Sequence, residues 1–225
     1  GEGEYIHDCR GLNRFADGTL TWRGRDFSGY VYIWHSLRPL LYILDDRTTR
    51  VTAMATMQPG RLEADIHIPD NVVSLFQTAA GRMLKIRVDI VSPRPHLHDY
   101  YALQGTHGSF EGTRGFGDPA RLWLEELESA ERPGKSGPSV HWKPLADFEA
   151  EYIPDRVAAR ADSAKAGHGG SDYRTMKAFV DAFRRGESSP VDVYRALDCS
   201  LPGPLALASA QQGGVPVEVP DPRTF

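Results

Sequence analysis

An α+β fold, with a largely antiparallel open sheet covered by helices on one face, follows from three features of the sequence. Strand-like runs with short turns fill the chain from Arg50 to Gly112. Within them, Met83 to Val91 alternates cleanly: Leu84, Ile86, Val88 and Ile90 face one way, and Lys85, Arg87 and Asp89 the other. That period of two belongs to a strand with a single buried face. Helical spacing of apolar residues returns near the end, from Ser171 onward. Strands first and helices appended later predict one sheet with helices on one side.

The elements follow in order. Gly1-Glu2-Gly3-Glu4-Tyr5-Ile6-His7-Asp8 reads as the middle of a strand, with no start methionine, and predicts a truncated or processed chain. In that strand Tyr5 and His7 share one face and Glu4, Ile6 and Asp8 the other. The apolar run Tyr30 to Leu41, if helical, sets Tyr32 and His35 about one turn apart. Val51 to Met57 and Val72 to Thr78 have strand composition, and Ala79-Ala80-Gly81 supplies the turn into Met83 to Val91. Tyr100 to Gln104 and Ser109 to Glu111, around Gly105-Thr106-His107-Gly108, read as a second hairpin.

A single α+β domain is therefore expected over residues 1–225, interrupted by a loop-rich insertion at about 112–137. That insertion is rich in Gly, Pro and charge, and a short helix from Pro119 to Ala130 is expected inside it. Beyond it, Ser171 and Asp172 are candidate N-caps of a helix carrying Tyr173, Met176, Val180 and Phe183, with Gly186 as its stop. A second helix starts near Val191-Asp192, and Pro202 and Pro204 break or kink it before Leu205 to Gln212 resumes. Val215 to Val219 is a last short strand and Asp221 to Phe225 a tail.

Composition excludes several classes of function. The 225 residues are 40% hydrophobic, enough for the core of one substantial domain. With a net charge of -4 and no basic stripe, nucleic acid is not expected as a partner. The longest apolar runs, such as Leu40 to Leu44, are too short to span a bilayer, and no charged-then-apolar leader opens the chain. A cytoplasmic protein with no membrane partner is the expectation. Cys9 and Cys199, isolated from one another, make neither a disulfide framework nor a zinc cluster and are expected to be reduced and inert.

Four segments carry residue types suited to chemistry. Tyr32-x-x-His35 places a phenol and an imidazole on one helix face, where they can bind a polyol or move a proton near neutral pH; the plain alternative is a histidine without catalytic duty. In Ser92-Pro-Arg94-Pro-His96-Leu-His98-Asp99, two prolines fix the backbone around Arg94, either as a fork for a hydroxyl pair or acid or as a salt bridge at a strand edge. His96, His98 and Asp99 are conceivable metal ligands, but no third firm ligand is identifiable and no metal site is assigned. Gly167-His168-Gly-Gly-Ser-Asp172 is a turn in which His168 meets a substrate or the glycines merely shape the loop. In Glu4-Tyr5-Ile6-His7-Asp8, His7 and Asp8 are open to either reading, site or solvated strand edge. No G-x-G-x-x-G, P-loop, H-E-x-x-H or G-x-S-x-G is present; Gly112-Thr-Arg-Gly115-Phe-Gly117 has the wrong spacing for a dinucleotide turn.

Taken in order, these pieces resemble one family. Glu2-Gly-Glu-Tyr-Ile-His-Asp8, Tyr32-x-x-His35-Ser-Leu, Ser92-Pro-Arg-Pro95 leading to Leu103-Gln-Gly-Thr-x-Gly-Ser-Phe-Glu111, Gly167-His-Gly-Gly-x-Asp172 and the close Asp192-Val-Tyr-x-Ala-Leu-Asp198 with Gly214-x-Pro-Val-Glu-Val-Pro220 look like the C-terminal domain of Gfo/Idh/MocA oxidoreductases. The glycosidase-like branch, which cleaves sugars by NAD-assisted oxidation, elimination and re-reduction, carries Tyr-Pro-Thr-His where this chain has Tyr32-Ile33-Trp34-His35. Ordinary dehydrogenases of the family carry an Asp four positions before that His; here the position is Val31.

The resemblance implies the substrate-binding domain of an NAD(P)-dependent sugar oxidoreductase or redox-assisted glycosidase. NAD or NADP would be bound mainly by an N-terminal Rossmann domain absent from this sequence. His35 would be the acid/base group and Tyr32 its catalytic neighbour, while Arg94, His168, Tyr5 and His7 would contact a sugar or sugar derivative. The sheet would also serve a homo-oligomer. The alternative is a non-catalytic sugar-binding or oligomerisation module lacking a nucleotide domain.

Overall fold

The computed structural model describes residues 1–26, 29–56, 65–66, 69–115, 117–127, 141–153, 163, 165–190 and 192–225. In chain order its elements begin with β1 (Glu2–Ile6), α1 (Trp22–Asp26), a 3-10 turn (Gly29–Tyr32) and α2 (Ile33–Leu44). The strands β2 (Thr48–Ala55), β3 (Asn71–Thr78), β4 (Met83–Asp89), β5 (Leu97–Gln104), β6 (Gly108–Glu111), β7 (Arg121–Leu124) and β8 (Lys143–Pro144) follow. The chain ends with α3 (Glu149–Tyr152), α4 (Ser171–Arg185), α5 (Val193–Ser200), α6 (Pro202–Gln211) and β9 (Val217–Glu218).

The described strands form one open sheet in the order β8-β7-β6-β5-β1-β4-β3-β2-β9. Its pairs are antiparallel except β1–β4. The expected α+β fold is present, as is the alternation that predicted it. Leu84, Ile86 and Val88 are fully buried and Ile90 nearly so. Val72, Ser74, Phe76 and Thr78 are buried on β3, while Val73 and Leu75 between them are exposed. Burial of each large apolar side chain contributes about 1.5–3 kcal/mol, so the covered face fixes the register.

Among the described residues two helices supply the cover. Ile33, Leu37, Leu40 and Leu41 recur at helical spacing and turn α2 onto β1, β4 and β5. The second is α6, which lies on β2 through small residues, with Ala206 fully buried and Ser209 Oγ accepting from Ala53 N at 3.0 Å. The proline break expected at Pro202 is real: α5 ends at Ser200 and α6 restarts with Pro202 in its first turn. On the other face, Ile6, Leu97, Tyr100 and Ala102 form a second buried cluster. The Arg114 guanidinium lies 3.6 Å from the Tyr100 ring centroid and 3.4 Å from Glu4 Oε1.

Two local expectations are corrected. The helix expected from Pro119 to Ala130 is instead β7, followed by a 3-10 turn at Glu125–Leu127, with 128–130 outside the described residues. The open edge of β6 decides this. Leu122 pairs with Phe110, and Arg121 Nη2 donates to Glu111 Oε2 at 2.6 Å, so ladder bonds outweigh a weak helical preference. At the head of α4, neither Ser171 nor Asp172 is the N-cap. Gly170, at φ 93°, takes that position, while Ser171 Oγ donates to the His168 carbonyl and Asp172 pairs with the His168 ring.

Candidate functional site

The site grows from the C-terminal end of β1. Alternation puts Tyr5 and His7 on one face, and the Tyr5 hydroxyl lies 2.9 Å from His7 Nδ1. β1 pairs with β5 through Ile6↔Leu97, which sets His96 and His98 beside His7. From above, the 3-10 turn and first turn of α2 bring Tyr32 and His35 onto the Tyr5 ring. Tyr5 is the hub: its centroid lies 4.8 Å from Tyr32, 4.8 Å from His35 and 4.9 Å from His98, all stacked. Tyr32 and His35 are 5.4 Å apart, the one-turn relation expected from Tyr-x-x-His. His7 lies 4.0 Å from His96 and 4.5 Å from His98.

Burial divides this cluster into a floor and a rim. Tyr5, Tyr32 and Cys9 are buried; His7 and His98 are half-buried; His35 and His96 are exposed. Burial holds both phenols, Tyr5 and Tyr32, above their usual range, so each keeps its proton. The Tyr5 hydroxyl pairs with Nδ1 of neutral His7, the ring's tautomer deciding which of the two donates. Burial and the neighbouring His98 and His96 push the His7 imidazole down, favouring that neutral form. Asp8 is held low, at about 2, chiefly by the Arg10 guanidinium, which grips it through Nε at 2.8 Å and Nη2 at 2.6 Å. Its carboxylate is committed to that pair.

Of the residues singled out in the sequence, Tyr5, His7, Tyr32 and His35 are brought together. Arg94 lies exposed in the loop before β5, and its described hydrogen bond is a backbone one to Ser92. His168 sits at the head of α4, with its side chain 83% exposed, at φ 53° and 3.0 Å from Asp172; that pairing raises its affinity for a proton. Its described contacts do not reach the ring cluster. The Asp99 side chain lies outside the described residues. One participant escaped sequence reasoning altogether: Arg23 in α1, whose Nη1 donates to the Tyr32 hydroxyl at 2.6 Å. The nearby aromatic in Trp22-Arg23 was the available signal, since the guanidinium also lies 5.0 Å from the Trp22 ring.

A family profile described as "Glycosyl hydrolase 109, C-terminal domain" matches residues 50–224, most of the chain. The chain belongs to glycosyl hydrolase family 109, through its C-terminal domain. The resemblance to the glycosidase-like branch of the Gfo/Idh/MocA oxidoreductases holds. A family 109 protein of Saccharopolyspora erythraea is 30% identical over 98% of this chain and 49% of its own length. One from Streptomyces coelicolor is 29% identical, over 98% and 50% respectively. The chain thus spans about half the length of the curated family 109 relatives it matches.

Solved structures show the same fold. A levoglucosan dehydrogenase in complex with NADH and levoglucosan superposes with a TM-score of 0.67 at 18% identity, covering 98% of this chain and 58% of that one. A protein described as a putative myo-inositol dehydrogenase from Sinorhizobium meliloti gives 0.60 at 13% identity, covering 97% and 56%. Among the described residues no helix is long and apolar enough to cross a membrane.

Proposed function

We propose that this chain supplies the sugar-facing wall and the acid/base pair of an NAD(P)-dependent, redox-assisted glycosidase or sugar oxidoreductase. The observation that carries the reading is the stack of Tyr5, Tyr32 and His35, with a buried phenolic floor and an exposed imidazole. Flat aromatic surface beside oriented hydroxyl and imidazole groups suits a polyhydroxylated ring. His35 takes up or returns a proton at a sugar hydroxyl or at a carbon beside a carbonyl, as an imidazole can near neutral pH. Tyr32, protonated and held by Arg23, donates to a substrate oxygen. Tyr5 and His7 line the floor, and Arg94 and His168 contact the substrate from loops.

NAD or NADP belongs to the proposal through the family, not through donors in this chain. Gly112, Gly115 and Gly117 lie between β6 and β7, and the loop leads into a strand, not a helix N-terminus. They do not fit a dinucleotide phosphate. The cofactor would be held mainly by a Rossmann domain. The contribution of this chain is positioning and proton handling.

A homo-oligomer through the sheet is part of the same reading. It is supported by Met54, Val73, Leu75 and Met83 standing exposed on the face opposite α2 and α6. Cytoplasmic location is proposed with it.

The test is turnover of sugars and glycosides with NAD or NADP by the protein containing this domain, native and His35→Ala. A loss of about 10²–10⁴-fold in kcat is expected, the usual worth of a general acid/base. Undiminished turnover in His35→Ala would remove the assignment, and absence of turnover with any sugar would favour a non-catalytic sugar-binding module.

A further inference from the structure

We propose that His7, His96 and His98 form a binding site for a borderline divalent transition metal, Zn²⁺ being the ion of choice. One ring nitrogen from each of the three imidazoles can be chosen so that all lie within 4.8 Å of one another. The ring centroids are separated by 4.0, 4.5 and 4.8 Å. A tetrahedral zinc with Zn–N bonds of about 2.05 Å needs donors about 3.3 Å apart, so small side-chain rotations complete the geometry. The partly exposed rim allows them, since His96 is exposed and the other two are half-buried.

The placement is a product of the fold. His98 lies in β5 and His96 just before it, their rings stacked 4.8 Å apart, and the β1–β5 register brings His7 alongside as the third ligand. Sequence inspection offered Asp99 for that role. The carboxylate next in line, Asp8, is held by Arg10 and stays out of the set.

The donor set selects the ion. Three imidazoles without carboxylate or thiolate disfavour Mg²⁺ and Ca²⁺, which take oxygen ligands, and suit Zn²⁺. Tyr5 completes the arrangement. When His7 binds through Nε2, its Nδ1 carries the proton and the Tyr5 hydroxyl, 2.9 Å away, accepts it. Three protein ligands leave a fourth position for water or a ligand hydroxyl. The site shares His7 and Tyr5 with the proposed sugar floor but does not need the chemistry of Tyr32 and His35.

The experiment uses untagged protein stripped with chelator, dialysed, and titrated with ZnCl₂ by calorimetry, with bound metal counted by elemental analysis. One zinc per chain is expected. His96→Ala, at an exposed position whose loss leaves the core untouched, should weaken binding by at least tenfold. Tyr5→Phe, which keeps the ring stack, should weaken it by about tenfold. His107→Ala, in the β5–β6 turn outside the cluster, should bind as the native protein does. Failure of the native protein to take up zinc, or native-like binding by His96→Ala, would overturn the site. The zinc site shares His7 and Tyr5 with the proposed sugar floor, but zinc uptake is read without turnover, so its failure is distinguishable from failure of the sugar reading.

Discussion

Arg23 Nη1 donates to the Tyr32 hydroxyl at 2.6 Å, and this bond joins α1 to the turn that opens α2. The same guanidinium lies 5.9 Å from the Tyr32 ring centroid and 5.0 Å from that of Trp22. Tyr32 in turn stacks on Tyr5 at 4.8 Å. A cation is thereby coupled through one phenol to the floor of the site. Arg23 is a positioning residue: it fixes the direction in which the Tyr32 hydroxyl can donate.

Arg23→Met keeps an unbranched stem and removes every donor. Turnover of the proposed sugar reaction should fall by roughly tenfold, mainly in kcat, while urea unfolding shifts by only about 1 kcal/mol. Arg23→Lys, which restores one donor, should recover part of the loss. A loss of stability that accounts for the whole fall in turnover would show a merely structural residue.

Gly203→Ala tests how tightly α6 must approach the turn carrying Tyr32. A Cβ there would lie 2.6 Å from the Tyr30 carbonyl oxygen, which is backbone and has nowhere to go. Destabilisation of about 1–3 kcal/mol is expected in denaturant unfolding. Gly11→Ala, where an added Cβ meets nothing within 4 Å, should stay within about 0.5 kcal/mol of native.

Acid should weaken the segment beside His7. The folded-state carboxyl of Asp8 titrates at about 2, below its ordinary 3.8, because of Arg10. A depressed carboxylate stabilises the fold above its unfolded pKa, and that contribution disappears as pH falls through the folded one. The Asp8–Arg10 contribution should therefore be present at pH 5 and lost between about pH 4 and 2. Asp8→Asn should flatten that part of the stability–pH curve from thermal melts; an unchanged curve would show that the pair contributes nothing.

The sheet face opposite α2 and α6 should carry self-association. Met54 and Val73 are paired across β2–β3, and Leu75 stands two residues along on β3, all exposed. Leu75→Glu together with Met54→Glu places like charges on that face. Light scattering after size exclusion should show the native protein as an oligomer and the double variant as the smaller species. A native monomer would sink this part of the reading.

Much of the fold was legible because its signals are short-ranged. The odd-even order of residues 84–90 states which face of β4 is buried, and Gly186 at φ 65° ends α4 where a residue without Cβ was expected. The expected helix at Pro119–Ala130 failed for the opposite reason. Whether Arg121–Leu124 becomes a strand depends on the free edge of β6, which local composition does not reveal. Ser171 and Asp172 have cap chemistry, but their side chains turned back to His168.

By itself the sequence determined the α+β class, the faces of the principal strands, the one-turn proximity of Tyr32 and His35, and membership of a sugar-processing family. All are set by the order of residues within a few turns of chain, or by an ordered set of motifs. Only the tertiary structure decided that β1 inserts between β4 and β5, that Arg23 reaches Tyr32, and that His7 meets His96 and His98. Those contacts join residues distant in the chain. Their pairing depends on how the whole sheet buries its faces, an energy no local window contains.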